Sequence, residues 1–162
     1  MNLAPSLWPA LVVSLMTAAC GGAAASAPQE PGIVQVTHAP DAPKKHKVVY
    51  HLSEAGADKA KFVLTNIKNH AEGVGWKDIG AMELVAHGPA VKTFMAEGMD
   101  ADLRGLIDKL VADGLVLTIC GNTMTKQNLP KEQLVKGCSI ANKGGVVRLM
   151  ELQEQGYTYL RP

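Results

Sequence analysis

From Lys47 to Leu160 the hydrophobic period switches repeatedly between strand and helix, and this alternation restricts the fold more than any other feature. Lys47–Leu52 (KVVYHL) is a short β-rich run. Asp58–Glu72 then carries Ala60, Val63, Leu64, Ile67 and Ala71 on one helical stripe. Met82–Ala86 (MELVA) returns to strand character and ends at the turn His87-Gly88-Pro89. Asp100–Asp113 sets Leu103, Leu106, Ile107, Leu110 and Val111 on a helix face that Gly114 can end. Leu115–Cys120 (LVLTIC) is the most continuous apolar run of this region. Asn122–Gln127 and Pro130–Val135 read as short helices, Pro130 suiting a first helical position. Cys138–Ala141 (CSIA) is a weak strand, and Val146–Gln153 is a helix with Val146, Leu149 and Met150 apolar. Gly156 stops that helix, and Tyr157–Leu160 (YTYL) is a last strand.

Strands that alternate with helices, in runs apolar on both faces, predict a three-layer α/β domain with a mostly parallel five-stranded sheet. Five strands in about 115 residues is a compact, flavodoxin-like size. The rest of the chain has a different composition. All 16 Lys and Arg lie from Lys44 onward, and Glu30 and Asp41 are the only charged residues before it. Pro5, Pro9, Pro28, Pro31, Pro40 and Pro43 crowd into the same stretch. Such a break marks a processing segment followed by a linker. Leu7–Ala19 (LWPALVVSLMTAA) is too short to span a bilayer but has the length of a signal-peptide apolar region. The organisation expected is therefore an export signal at 1–25, an Ala/Pro-rich tether at 26–45 and a folded domain at 46–162. Cleavage after Ala25 would follow the pattern Ala23 to Ala25. Alternatively, Cys20 resembles the lipidated cysteine of a bacterial lipoprotein, with Ala18-Ala19-Cys20-Gly21 as its lipobox core. No Lys or Arg precedes the apolar run, which raises the question of the true start codon. Export implies a periplasmic protein, anchored to the membrane if Cys20 carries lipid.

A net charge of +1 gives no reason to expect nucleic-acid binding. Absence of GxGxxG, P-loop and GxSxG patterns argues against dinucleotide, nucleoside-triphosphate and serine-hydrolase chemistry. No cofactor is expected.

Ligands of an open parallel sheet bind beyond the carboxyl ends of its strands. Those ends are His51-Leu52-Ser53-Glu54, His87-Gly88-Pro89 and Cys120-Gly121-Asn122-Thr123. Cys120 would close a buried strand just before a helix. Free N–H groups at a helix start favour the thiolate, which is the nucleophile. Gly121 would let the chain turn tightly and let a substrate approach. Asn122, Thr123 and nearby backbone N–H groups would stabilise the anion. Against this, cysteine is also a common small filler of core strands. His87 has two readings: it orients or deprotonates Cys120, or, the preferred one, it caps the turn before Pro89 through its ring nitrogens. His51 reads as a residue buried in its strand, His70 as a helix-end residue and His38 as a tether residue. Cys120, His87 and His51 are soft ligands without CxxC or HxxxH spacing, so no metal is expected. Cys138 begins the strand next to the one Cys120 ends. In a parallel pair those positions lie at opposite ends, beyond the roughly 7 Å a disulfide allows. Cys138 is read as a buried filler.

Several segments together resemble the DsrE/DsrF-like family: VVYHLSE (Val48–Glu54), LTNIKNH (Leu64–His70), ELVAHGP (Glu83–Pro89), CGNTM (Cys120–Met124) and GVVRLMELQEQGYTYLRP (Gly145–Pro162). The ending LQxxGYxYxxP, Leu152–Pro162, is the most distinctive. HGP and CGNTM point to an exported branch, in which Lys143-Gly144 stands where a Pro-small pair is common. The resemblance implies a DsrE-like α/β fold, homo-oligomers, and a cysteine that carries sulfur as a persulfide between a donor and an acceptor, whether protein or small sulfur compound. Cys120 looks like that cysteine, with Ser53, His87, Gly88, Gly121, Asn122 and Thr123 around it. Contact with a membrane would come only through the lipid anchor. Two other readings stay open: a non-catalytic module binding a small ligand or protein at the same edge, and an oligomeric structural subunit.

Overall fold

The computed structural model describes residues 45–162. The expected signal at 1–25, Cys20, and the tether up to residue 44 lie outside the described residues. In chain order the elements are β1 (His46–Leu52), α1 (Ala57–Val74), β2 (Ile79–Ala86), α2 (Ala101–Asp113), β3 (Leu115–Cys120), α3 (Gly121–Lys126), β4 (Cys138–Ala141), α4 (Gly145–Glu154) and β5 (Thr158–Leu160). The five strands form one sheet in the order β4-β3-β2-β1-β5. Every neighbouring pair is parallel, so the α/β architecture expected from the alternating pattern is the observed one.

The strand order explains the layering. From β1 to β4 the chain steps across the sheet in one direction, and its crossovers pack on one face. To reach β5 it must return past β1, and a right-handed crossover in the reverse direction passes over the opposite face. α4 is that crossover. On the first face, Val48, Tyr50 and Leu52 of β1, Met82 and Leu84 of β2 and Leu117 and Ile119 of β3 join the buried stripes of α1 and α2 in the main core. On the second face, Leu149 and Leu152 of α4 pack on Val49 and Val85, with Tyr157 at the edge.

Helix α1 buries Ala60, Val63, Leu64, Ile67 and Ala71, the five residues of its sequence stripe. Asp100 caps α2 by accepting from the Leu103 N–H at 2.9 Å, and Gly114 ends it in the left-handed conformation at φ 116°. Of the α2 stripe, Leu103, Ile107 and Leu110 are fully buried, while Leu106 and Val111 sit at its margin.

Helix α4 forms where expected but buries only part of its apolar set. Gly145, Leu149 and Leu152 face the sheet, whereas Val146 and Met150 are 66% and 50% exposed. A single helix on a narrow seat buries one stripe, and Val146 and Met150 belong to the neighbouring stripe. The turn at His87-Gly88-Pro89 instead opens a 3-10 segment, Gly88–Phe94, that buries Ala90, Val91 and Phe94. That pattern is too short to show a helical period. Pro130–Val135 contracts to one 3-10 turn, Lys131–Gln133, with Pro130 just ahead of it. Strand β2 starts earlier than its apolar run, at Ile79. Among the described residues no helix is long and apolar enough to cross a membrane.

Ile67→Ala, in the fully buried stripe of α1, is expected to cost about 2–5 kcal/mol in urea unfolding. Met150→Ala, on the open side of α4, should stay within about 0.5 kcal/mol of the parent. Equal losses would contradict the layering.

Candidate functional site

Because all strands are parallel, their carboxyl ends share one edge. The register sets Leu52 beside Ala86, Ala86 beside Ile119 and Cys120 beside Ala141. His87, Ser53 and Cys120 therefore emerge together, as the topology requires.

Cys120 is the last residue of β3 and the N-cap of α3. It is 5% exposed. Its Sγ accepts the Thr123 N–H at 3.4 Å and the Gly145 N–H at 3.1 Å. The first donor belongs to α3 and the second is the first residue of α4, so two helix starts aim positive N–H dipoles at one sulfur. Burial pushes the thiol pKa up, but the Thr123 side chain and the N–H groups of Gly145, Thr123 and Asn122 outweigh it and leave the thiol below its ordinary value. Cys138 has no such donors, and burial pushes it up to about 12. Both described cysteines are free, and Cys138 sits beside Leu117, three residues along the strand pair from Cys120.

The α4 donor reaches the sulfur only because Gly145 lacks a side chain. A Cβ there would lie 2.9 Å from the His87 Cβ and 3.3 Å from the Cys120 Cβ, atoms that cannot swing aside. Gly144 precedes it at φ 105°, and a Cβ there would meet the Asn122 Nδ2 at 2.6 Å. Asn122 uses that amide to donate to the Lys143 carbonyl at 3.2 Å. Its side chain thus fastens the β4–α4 loop, and only its backbone acts on the sulfur. Gly121 serves packing: a Cβ there would come within 3.0 Å of the Ala141 carbonyl oxygen. The space expected for a substrate is taken by the end of β4.

The capping reading of His87 is corrected. His87 makes no side-chain cap bond to the following segment. Its Nε2 lies 2.6 Å from the His51 Nε2, and the His51 Nδ1 lies 2.6 Å from the Tyr159 hydroxyl. With ring centroids 4.7 Å apart, the two nitrogens face each other and must share a proton. His87 and Cys120 flank the same Gly145, yet the sulfur's donors are Thr123 and Gly145 and the His87 ring is committed to His51. His51 is half-buried and is partnered, not a passive strand residue. Burial, then His87 and the Arg161 guanidinium, push it down to about 4 against a smaller pull from Glu54. Burial and Arg161 also lower His87.

Gly88 links β2 to α3 by donating its N–H to the Thr123 Oγ1 at 3.0 Å. Ser53 stands apart from the sulfur. Its hydroxyl accepts from Arg161 at 3.0 Å, and Arg161 also binds Glu54 at 2.7 Å. The edge thus holds a sulfur cluster (Cys120, Thr123, Gly145), an imidazole pair (His51, His87) and an ionic cluster (Ser53, Glu54, Arg161). A cleft of about 440 Å³ runs past His51, His87, Val146, Met150 and Tyr159. Among the described residues no group of three or more His, Cys, Asp or Glu is placed to hold a metal.

Sequence reasoning missed Gly145, Tyr159, the imidazole pair, and a buried ion pair between Glu83 and Arg148. Arg148 donates to both Glu83 oxygens, at 2.9 and 2.7 Å, and the Thr118 hydroxyl adds a third bond at 2.6 Å. A Glu in the middle of the apolar run MELVA was the available signal.

Two titrations check this geometry. Alkylation of Cys120 is expected to rise with a midpoint below the ordinary thiol value of 9.0, while Cys138 labels only near 12; equal midpoints would contradict the donor arrangement. The His51 ring should titrate near 4 by NMR instead of 6.5. Between those pH values the folded chain binds fewer protons than the unfolded one, so stability should fall as pH drops through that window. His51→Phe should flatten the slope.

Residues 33–162 match the DsrE/DsrF-like family. Among solved structures, the fold is similar to a protein of unknown function from Methanobacterium thermoautotrophicum, at 23% identity over 72% of this chain and 99% of that one, with a TM-score of 0.61. It is similar to the YchN protein of Escherichia coli, at 16% identity over 72% and 99%, with a TM-score of 0.60. A conserved protein of unknown function from Bacteroides thetaiotaomicron matches at 15% identity over 70% and 94%, with a TM-score of 0.52. No curated protein matches the chain. A match that runs through the whole described domain, with these folds beside it, makes the chain a member of the DsrE/DsrF-like family.

Proposed function

We propose that this protein carries sulfane sulfur on Cys120. The observation that carries the reading is the pair of N–H donors, from Gly145 and Thr123, that converge on a sulfur at the strand-end edge. The Cys120 thiolate attacks the terminal sulfur of a polysulfide or organic persulfide. A new S–S bond forms at Sγ as the donor's S–S bond breaks, and the donor leaves as a thiolate or shortened polysulfide with the bonding electron pair. No external oxidant or reductant is needed. Transfer to an acceptor thiolate reverses the step.

We place the protein in the exported, HGP/CGNTM-containing branch, acting in the periplasm on sulfur compounds or partner proteins there, tethered by lipid if Cys20 is processed as a lipoprotein cysteine. It works as a homo-oligomer. Val116, Val146, Met150 and Tyr159, all exposed apolar side chains on or beside the α4 side of the sheet, support that assembly. One observation favours the alternative of a non-catalytic binding module: Cys120 is 5% exposed, so a donor must approach closely past the start of α4.

Mass spectrometry after incubation with polysulfide tests the reading. Wild-type protein should gain sulfur on Cys120, Cys138→Ser should behave like wild type, and Cys120→Ser should gain none. No sulfur on wild-type Cys120 would eliminate the carrier role. A Cys120→Ser variant that retained all cellular function would favour the binding module.

A further inference from the structure

The Gly145 N–H is useful to Cys120 only if α4 lies at one position along its axis. Its apolar seat is small: Leu149 and Leu152 against Val49 and Val85. Aliphatic contacts are non-directional and do not by themselves fix a helix along its length. Arg148, one turn beyond Gly145, does. Its Nε and Nη2 meet Glu83 Oε1 and Oε2 at 2.9 and 2.7 Å. This planar fork sets distance and angle together. Glu83 is itself fixed, 2% exposed in the middle of β2 between Val49 and Val116, and held by the Thr118 hydroxyl at 2.6 Å.

Two features are unexplained by the fold alone. A cation in the first turn opposes the helix dipole, and a carboxylate inside a parallel sheet carries a desolvation cost. Neither residue touches the sulfur, so neither is catalytic. We infer that Arg148 and Glu83 are positioning residues that lock α4 in register, hold the Gly145 N–H on the Cys120 sulfur, and thereby set the reactivity of the thiol. This inference rests on the reading of Cys120 as the reactive residue.

The polar groups facing Cys120 are Thr123 and Asn122 of α3, Gly145 of α4 and His87 at the end of β2. Lys143 in the β4–α4 loop is exposed. Of those facing the sulfur other than the thiol, only His87 is titratable, and burial, with Arg161, holds it below 6.5, so it stays neutral where thiols are labelled. A shift in the Cys120 profile therefore reports on its donors.

The test is the rate of Cys120 alkylation against pH in the full chain, with thermal unfolding as the check on folding. The variants are Glu83→Leu/Arg148→Leu and Glu83→Gln. Replacing both partners of a buried pair by apolar residues usually preserves the fold, but it removes the fork. The double variant should raise the Cys120 midpoint by about one unit and cut labelling at neutral pH roughly tenfold. Glu83→Gln, which can accept only one of the two N–H bonds in that geometry, should shift it the same way by less. If the double variant unfolds, Glu83→Gln decides. A wild-type midpoint in a folded variant overturns the positioning role and leaves the Cys120 reading intact. A wild-type Cys120 midpoint at or above the ordinary thiol value fails the Cys120 reading itself.

Discussion

Parallel pairing is the constraint from which the site follows. Each strand must be reached by a crossover, and each crossover starts from the same edge of the sheet. In this chain the edge collects His51, His87 and Cys120 from segments far apart in sequence. The last crossover is different in kind. It runs from the outermost strand, β4, back past the centre to β5, and handedness sends it over the face the other helices leave open. As a result the start of α4 arrives beside the end of β3. Cys120 is then approached from its own helix and from a second one on the opposite face.

Local chemistry accepts this arrangement through two glycines and one ion pair. Gly144 supplies a positive φ and Gly145 supplies the missing Cβ, so the helix start can touch the roots of His87 and Cys120. The Glu83–Arg148 fork compensates a helix seat with few apolar residues. Nearby, the imidazole pair is held neutral by burial and by the cation of Arg161. Negative charge at this edge is therefore stabilised at the sulfur by the Thr123 side chain and backbone N–H dipoles, and not by a protonated imidazole.

The fold was legible in the sequence because hydrophobic period is local. The stripe of α1 and the run LVLTIC needed no tertiary information. The Gly88–Phe94 segment escaped because two or three apolar residues at 3-10 spacing resemble a loop. The exposure of Val146 was not legible for another reason. A single helix on one side of a sheet need not bury every apolar residue on its face.

Within the site, residue order alone was enough to set Cys120 and Thr123 at a strand end and helix start and to bring three strand ends to one edge. The pairings were decided only by tertiary structure. His87 turned from a cap to a partner of His51, the Asn122 side chain from an anion donor to a loop fastener, and Ser53 from a cluster member to an acceptor for Arg161. Each depends on which side chain arrives from a distant segment and at what angle. Local patterning does not encode that; the order of strands across the sheet does.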